Sequence, residues 1–275
     1  MMKKITLCAD DYGQNPSISQ AIITLIKKNR LSATSCLTTS SFWLEHANWL
    51  QPLVGCVDVG LHFNLTEGKL LSNALDSNGF LSLTKLLFKA YGGGLDSTAI
   101  EAELHAQLDV FEAAMGCMPH FINGHQHIHQ LPVVRHALLK IYEKRLRAAG
   151  CYVRCVHDPR SYCRIRSRHY IKGLIIQSLG AAAFKKMLIR HQIPHNSSFA
   201  GIYSFAEAAR YSRIFPHFLA QINDGGIIMC HPGLLSREND MIAEARHYEF
   251  LYLESNDFVA DCFQAGVMLE RLSLS

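Results

Sequence analysis

The sequence predicts an α/β protein built from parallel βαβ units, as a barrel or a wound sheet. Two observations predict it: short apolar strand-like runs alternate with amphipathic helical segments, and acidic or histidine residues recur just after the apolar runs. At the C-terminal strand ends of such folds loops converge, whereas the rest of each strand packs the core.

The first element is the apolar run Ile5–Ala9, ending in Asp10-Asp11-Tyr12-Gly13. Asn15 then offers an N-cap with Pro16 at the first helical position. Ile18, Ala21, Ile22, Leu25 and Ile26 follow at helical spacing, which predicts an amphipathic helix. Residues 34–39 read as a second strand, and residues 54–65 contain a third that ends near His62. Thr98 and Glu101 suggest a capping box for a helix burying Ile100, Leu104, Leu108, Phe111 and Met115, with Gly116 as its stop. Phe121-Ile122 is a short strand closed by Asn123-Gly124. Residues 131–148 read as a helix, 151–156 and 226–230 as strands, and the tail after Glu254 as a final helix.

Composition excludes several classes. The chain has 275 residues, of which 49% are hydrophobic and 18% charged. That is enough for a sizeable core and too apolar for a disordered chain. The net charge of +4 is too mild to demand a nucleic-acid partner. Nine cysteines stand at irregular spacing without a C-x-x-C pair, as expected of reduced thiols rather than a disulfide framework. No signal-peptide core fits between Lys4 and Asp10, and the longest apolar-leaning stretch, residues 173–184, is too short for a membrane span. A cytoplasmic protein is expected.

The chemistry gathers at strand ends. Asp10 and Asp11, then His62, then His125 with His127 and His129, then His231 all follow apolar runs. Singly, each has an ordinary reading: a polar strand exit, a core histidine, a surface patch or a turn. Together they predict one shared mouth. One aspartate with two histidines also suits a divalent metal that keeps positions open for water and substrate.

These residues resemble the YdjC-like carbohydrate deacetylases, which include chitooligosaccharide deacetylases. The resemblance rests on Ala9-Asp10-Asp11-Tyr12-Gly13, Ser32 to Ser35, Gly60-Leu61-His62-Phe63 with Thr66-Glu67-Gly68, Gly124-His125-Gln126-His127-Ile128-His129 with Leu131-Pro132, and Met229-Cys230-His231-Pro232-Gly233. It implies an irregular β/α barrel in a single domain over 1–275, one divalent metal ion (magnesium or zinc), and removal of acetyl groups from N-acetylated amino sugars. Carried over position by position, Asp11, His62 and His125 match the metal ligands, Asp10 the base, and His231 a histidine acting as acid. Asn123, His127 and His129 are expected to contact substrate or support the ligands. The family often has Asp-Ser-His-His-His where this chain has Asn123-Gly124-His125-Gln126-His127, which changes what orients a ligating imidazole. A homodimer is a further expectation from the resemblance.

Residues 159–206 carry Arg160, Arg164, Arg166, Arg168, Lys172, Lys185, Lys186 and Arg190 with no acidic residue. Ile171, Leu174, Ile175 and Leu179 recur there at near-helical spacing. Either this is a basic helical excursion that packs on the barrel, or it rests on an anionic membrane and points to a lipid-linked or phosphorylated sugar. Its aromatics are too few for a nucleic-acid stacking platform. Other readings are a metal-dependent phosphoesterase or cyclic amidohydrolase on a similar barrel, and a non-enzymatic basic binding module.

Overall fold

A computed structural model describes residues 2–72, 74, 81–158, 179–236 and 240–274. Eight parallel strands form one sheet: β1 (Lys3–Tyr12), β2 (Ala33–Cys36), β3 (Asp58–Phe63), β4 (Phe121–Gly124), β5 (Tyr152–Val153), β6 (Phe199–Ala200), β7 (Gly226–Cys230) and β8 (Val267–Leu269). Their order is β5-β4-β3-β2-β1-β7-β6, with β8 paired to the start of β1. The two ends of this path meet in an irregular seam. Val153 bridges His195, and the Asn196 side chain accepts from Cys155 N and donates to Cys155 O, both at 2.8 Å. An amide side chain thus stands in for strand pairing where β5 is too short to supply it. The irregular β/α barrel is borne out.

Helices α1 (Pro16–Lys27), α2 (Trp43–Leu50), α3 (Leu83–Gly92), α4 (Ser97–Met115), α5 (Pro132–Ile141), α6 (Ala181–Arg190), α7 (Tyr211–Gln221), α8 (Ala243–Glu254) and α9 (Asn256–Gln264) accompany the strands. α1 forms as predicted: Asn15 accepts from Ile18 N at 2.9 Å, and Ile18, Ala21, Ile22, Leu25 and Ile26 are all buried. β1, β2 and β3 are buried almost throughout, as expected of parallel strands covered on both faces.

Several expectations need correction. The cap of α4 is Asp96, which accepts from Thr98 N at 2.8 Å, while Ser97 pairs with Glu101. An aspartate two residues upstream was the better acceptor. The helix expected over 131–148 ends at Ile141 and widens into a π-turn over Tyr142–Leu146. The tail adds β8 after its helix. The second strand is shorter than residues 34–39. Of the basic segment, residues 159–178 lie outside the described residues. Its described part contains α6, on which Phe184 and Leu188 are buried and Lys186 and Arg190 are exposed. Every described cysteine is free, and no described helix is long and apolar enough to cross a membrane.

Candidate metal centre

The site begins with an irregularity in β1. Ala9 pairs with Thr34 and Tyr12 with Cys36, so β1 carries one residue more than β2 across this interval. Consecutive side chains of a regular strand face opposite ways. An extra residue breaks that alternation and re-aims a side chain. Here Asp11 takes a left-handed backbone, φ 69°, which aspartate tolerates better than most residues. Two neighbouring carboxylates thereby enter one site with different surroundings.

Asp11 meets His62 and His125. Its Oδ1 is 3.2 Å from His62 Nε2 and 3.1 Å from His125 Nδ1, and the two nitrogens are 3.3 Å apart. All three side chains are buried. Ligands about 2.0–2.2 Å from one ion stand roughly 3–3.5 Å from each other, so these spacings fit a shared divalent cation. Each donor is also oriented from behind. His62 Nδ1 lies 2.7 Å from Asn123 Oδ1, an acceptor that selects the tautomer leaving Nε2 free toward Asp11. Arg246 Nη2 donates to Asp11 Oδ2 at 2.8 Å, leaving Oδ1 for the histidines. Glu67 Oε1 lies 3.2 Å from His125 Nε2. Among the described residues, these three are the one group spaced to hold a metal.

Asp10 is engaged differently. Arg154 grips both its oxygens, at 2.6 and 2.7 Å. Ser35 Oγ donates to Oδ1 at 2.7 Å and Asn123 Nδ2 to the same oxygen at 3.3 Å. Arg154 is fully buried. Burial alone would raise the Asp10 carboxyl, but Arg154, with His62, outweighs it and holds the group well below the usual carboxylate range. Asp10 is therefore an anchored, ionised carboxylate outside the ligand set.

His231 follows β7. Burial pushes its imidazole down to about 4, against the pull of Asp11 and Asp10. Its backbone N–H donates to Glu249 Oε2, and the other oxygen of Glu249 accepts from Tyr203 at 2.6 Å. Phe205 meets the imidazole edge-on, with centroids 5.5 Å apart. The remaining expected residues divide. His127, with a left-handed backbone (φ 60°), lies edge-on to Phe199 at 6.0 Å. His129 is fully buried, its Nε2 3.0 Å from Arg154 O, so it supports the segment just after β5 that carries Arg154. Gly124 makes room for it: a Cβ there would come within 2.7 Å of His129 N.

Sequence reasoning missed Arg154, Arg246 and Glu249 as site residues, and left Glu67 without a role. An arginine inside the apolar run 151–156 was a signal for Arg154. Arg246 and Glu249 had none, because an arginine and a glutamate on a helix read as solvated.

The chain matches the family model described as "YdjC-like protein" over residues 4–264. It belongs to the YdjC-like family. A chitooligosaccharide deacetylase from Yersinia pestis bv. Antiqua (strain Angola) is 33% identical to this YdjC-like chain over 138 residues, 49% of this chain and 53% of the relative. A carbohydrate deacetylase from Danio rerio is 31% identical over 145 residues, 50% of this chain and 46% of the relative. The aligned part thus spans about half the length of the curated relatives. A crystal structure from Enterococcus faecalis V583, whose name assigns the protein as a candidate to cellobiose-phosphate cleavage, superposes with a TM-score of 0.75 at 18% identity, covering 100% of this YdjC-like chain and 99% of the other. That likeness shows a shared fold.

Proposed function

We propose that this YdjC-like protein is a metal-dependent hydrolase that removes the acetyl group from an N-acetylated amino sugar, as an oligosaccharide or a glycoconjugate. One observation carries the reading: Asp11, His62 and His125 converge on one point beside a separate, ionised Asp10. The names of the curated relatives supply the substrate class.

Asp11, His62 and His125 would hold a divalent cation. Such an ion, when bound, would supply a Lewis acid for the acetamide oxygen and would lower the pKa of water bound to it. Asp10 takes the proton of the attacking water, and the Arg154 fork keeps its carboxylate ionised and fixed in direction. Pairing with arginine makes Asp10 a weak base on its own, so its contribution is position: the fork holds the carboxylate in one fixed direction. His231, neutral near neutral pH because burial lowers it to about 4, cannot store a proton beforehand. It relays the proton to the leaving amine within the cycle.

The test is acetate release from N-acetylglucosamine compounds: free oligomers, phosphorylated forms and lipid-linked forms, each with added divalent metal and with chelator. The exposed Lys186 and Arg190 are the reason to include the last two. Chelator-sensitive acetate from any substrate supports the reading. No acetate from the whole panel, in protein shown to hold metal, refutes it in favour of another hydrolytic reaction.

A further inference from the structure

A ring of side chains closes around the Asp11–His125 side of the site, and Glu67 is among its members that the proposed reaction leaves without a role. From Asp11 Oδ1 the ring passes to His125 Nδ1 at 3.1 Å, then from His125 Nε2 to Glu67 Oε1 at 3.2 Å. Gln14 Nε2 donates to Glu67 Oε2 at 3.3 Å. Arg246 Nη2 donates to Gln14 Oε1 at 3.0 Å and returns to Asp11 Oδ2 at 2.8 Å. Gln126 Nε2 donates to Glu67 Oε1 at 3.3 Å.

The Glu67 side chain is 45% exposed, and an exposed ion pair alone is worth little. Its backbone, however, is built into place. Asn64 Oδ1 accepts from Thr66 N at 2.9 Å and Glu67 N at 3.2 Å, and its amide donates to Glu67 O and, at 2.8 Å, to Thr39 Oγ1. Behind it the buried Gln107 of α4 accepts from Asn64 N at 3.0 Å and donates to Asn64 O at 2.6 Å. Gly68 takes φ +83°, where a Cβ would stand 2.7 Å from Thr39 O. The loop thus delivers a carboxylate to the far nitrogen of a ligating histidine.

We infer that Glu67 is a positioning residue for the metal ligand His125: its carboxylate, 3.2 Å from Nε2, favours the proton on that nitrogen and so the tautomer whose Nδ1 lone pair faces Asp11 and His62. The arrangement complements that of His62, whose Nδ1 faces Asn123 while Nε2 faces the site. Carboxylate or carbonyl partners of this kind set the ring orientation and raise the basicity of ligating imidazoles. The inference rests on the metal centre of the proposed function.

Co²⁺ serves as the probe, with affinity read by competition against a chelator and ligand geometry read from the visible d–d band. Glu67→Ala is expected to weaken Co²⁺ about 10- to 100-fold and to shift the band. Glu67→Gln, which keeps an acceptor oxygen but loses the charge, should fall between it and the unaltered protein. Unchanged affinity and band in Glu67→Ala would overturn the inference. So would weakening without a band change and with a lower Tm of the metal-free variant, the mark of a purely structural role. If the unaltered protein binds no Co²⁺, the metal centre itself fails, an outcome separate from the first two.

Discussion

The proposed metal centre predicts that His125 carries a proton in the metal-free protein, which a metal binding there would have to displace. Burial alone would lower its pKa, but the Asp11 and Glu67 carboxylates more than offset this and raise it to about 10. Coordination through Nδ1 needs the neutral ring, so binding below that pKa releases about one proton. The dissociation constant should then fall about tenfold per pH unit, roughly 1.4 kcal/mol, across the range from neutral to about pH 9. An ordinary imidazole, titrating at about 6.5, would already be neutral at about pH 7.5 and would give almost no change above it. The assay is calorimetric titration with Co²⁺ at about pH 8 in two buffers of different ionisation enthalpy, which counts protons, together with Kd at about pH 7.5 and 8.5. The sign for stability is opposite. Because the folded pKa lies above the unfolded one, the stabilisation is full below about pH 6.5 and is lost as pH rises toward about 10. The Tm of the metal-free protein should therefore fall over this window while metal affinity rises. A proton count near zero with a flat Kd would refute the reasoning.

Asp11→Asn should abolish metal binding, whereas Asp10→Asn should keep the metal and lose turnover. Metal analysis with acetate release checks this, and equal metal content and activity in both variants would contradict it. Arg154→Met strands the buried Asp10 carboxylate and should cost about 3–5 kcal/mol, measured by urea denaturation; a loss under about 1 kcal/mol would mean that Asp10 is not held by that fork. Gly124→Ala sets a methyl 2.7 Å from His129 N and should cost about 1–3 kcal/mol by overpacking. A scanning-calorimetry trace matching the unaltered protein would show that the turn relaxes freely.

What was legible in the sequence had a local cause. Asn15 and Pro16 begin α1 because capping acts within three residues, and Gly226–Cys230 is a strand within the expected bounds because five buried apolar residues leave no other reading. Alternation of such segments placed Asp10, Asp11, His62, His125 and His231 at strand ends without any knowledge of the topology. What was not legible depended on partners remote in the chain. β8 exists because Val267–Leu269 finds Lys3–Ile5, and the seam beside β5 exists because Asn196 finds Cys155. Arg246 reaches Asp11 across 235 positions, so nothing in its own helix marks it.

The same distinction explains how two adjacent, identical residues come to differ. From composition and spacing alone, Asp10 and Asp11 were interchangeable candidates, and only the resemblance separated them. In the structure their partners do so. Arg154 takes both oxygens of Asp10, and Ser35 and Asn123 add to one of them, so its lone pairs are largely occupied and its charge is matched inside the barrel. Arg246 takes a single oxygen of Asp11 and leaves the other turned toward two imidazole nitrogens. Each buried charge has a counter-charge, as burial requires, yet the two pairings leave different capacity to coordinate. The left-handed turn at Asp11 makes the difference possible, since in a regular strand one of the two carboxylates would face away from the site altogether. A one-residue bulge and two arginines from distant segments thus convert a repeated residue into a candidate base and a candidate ligand.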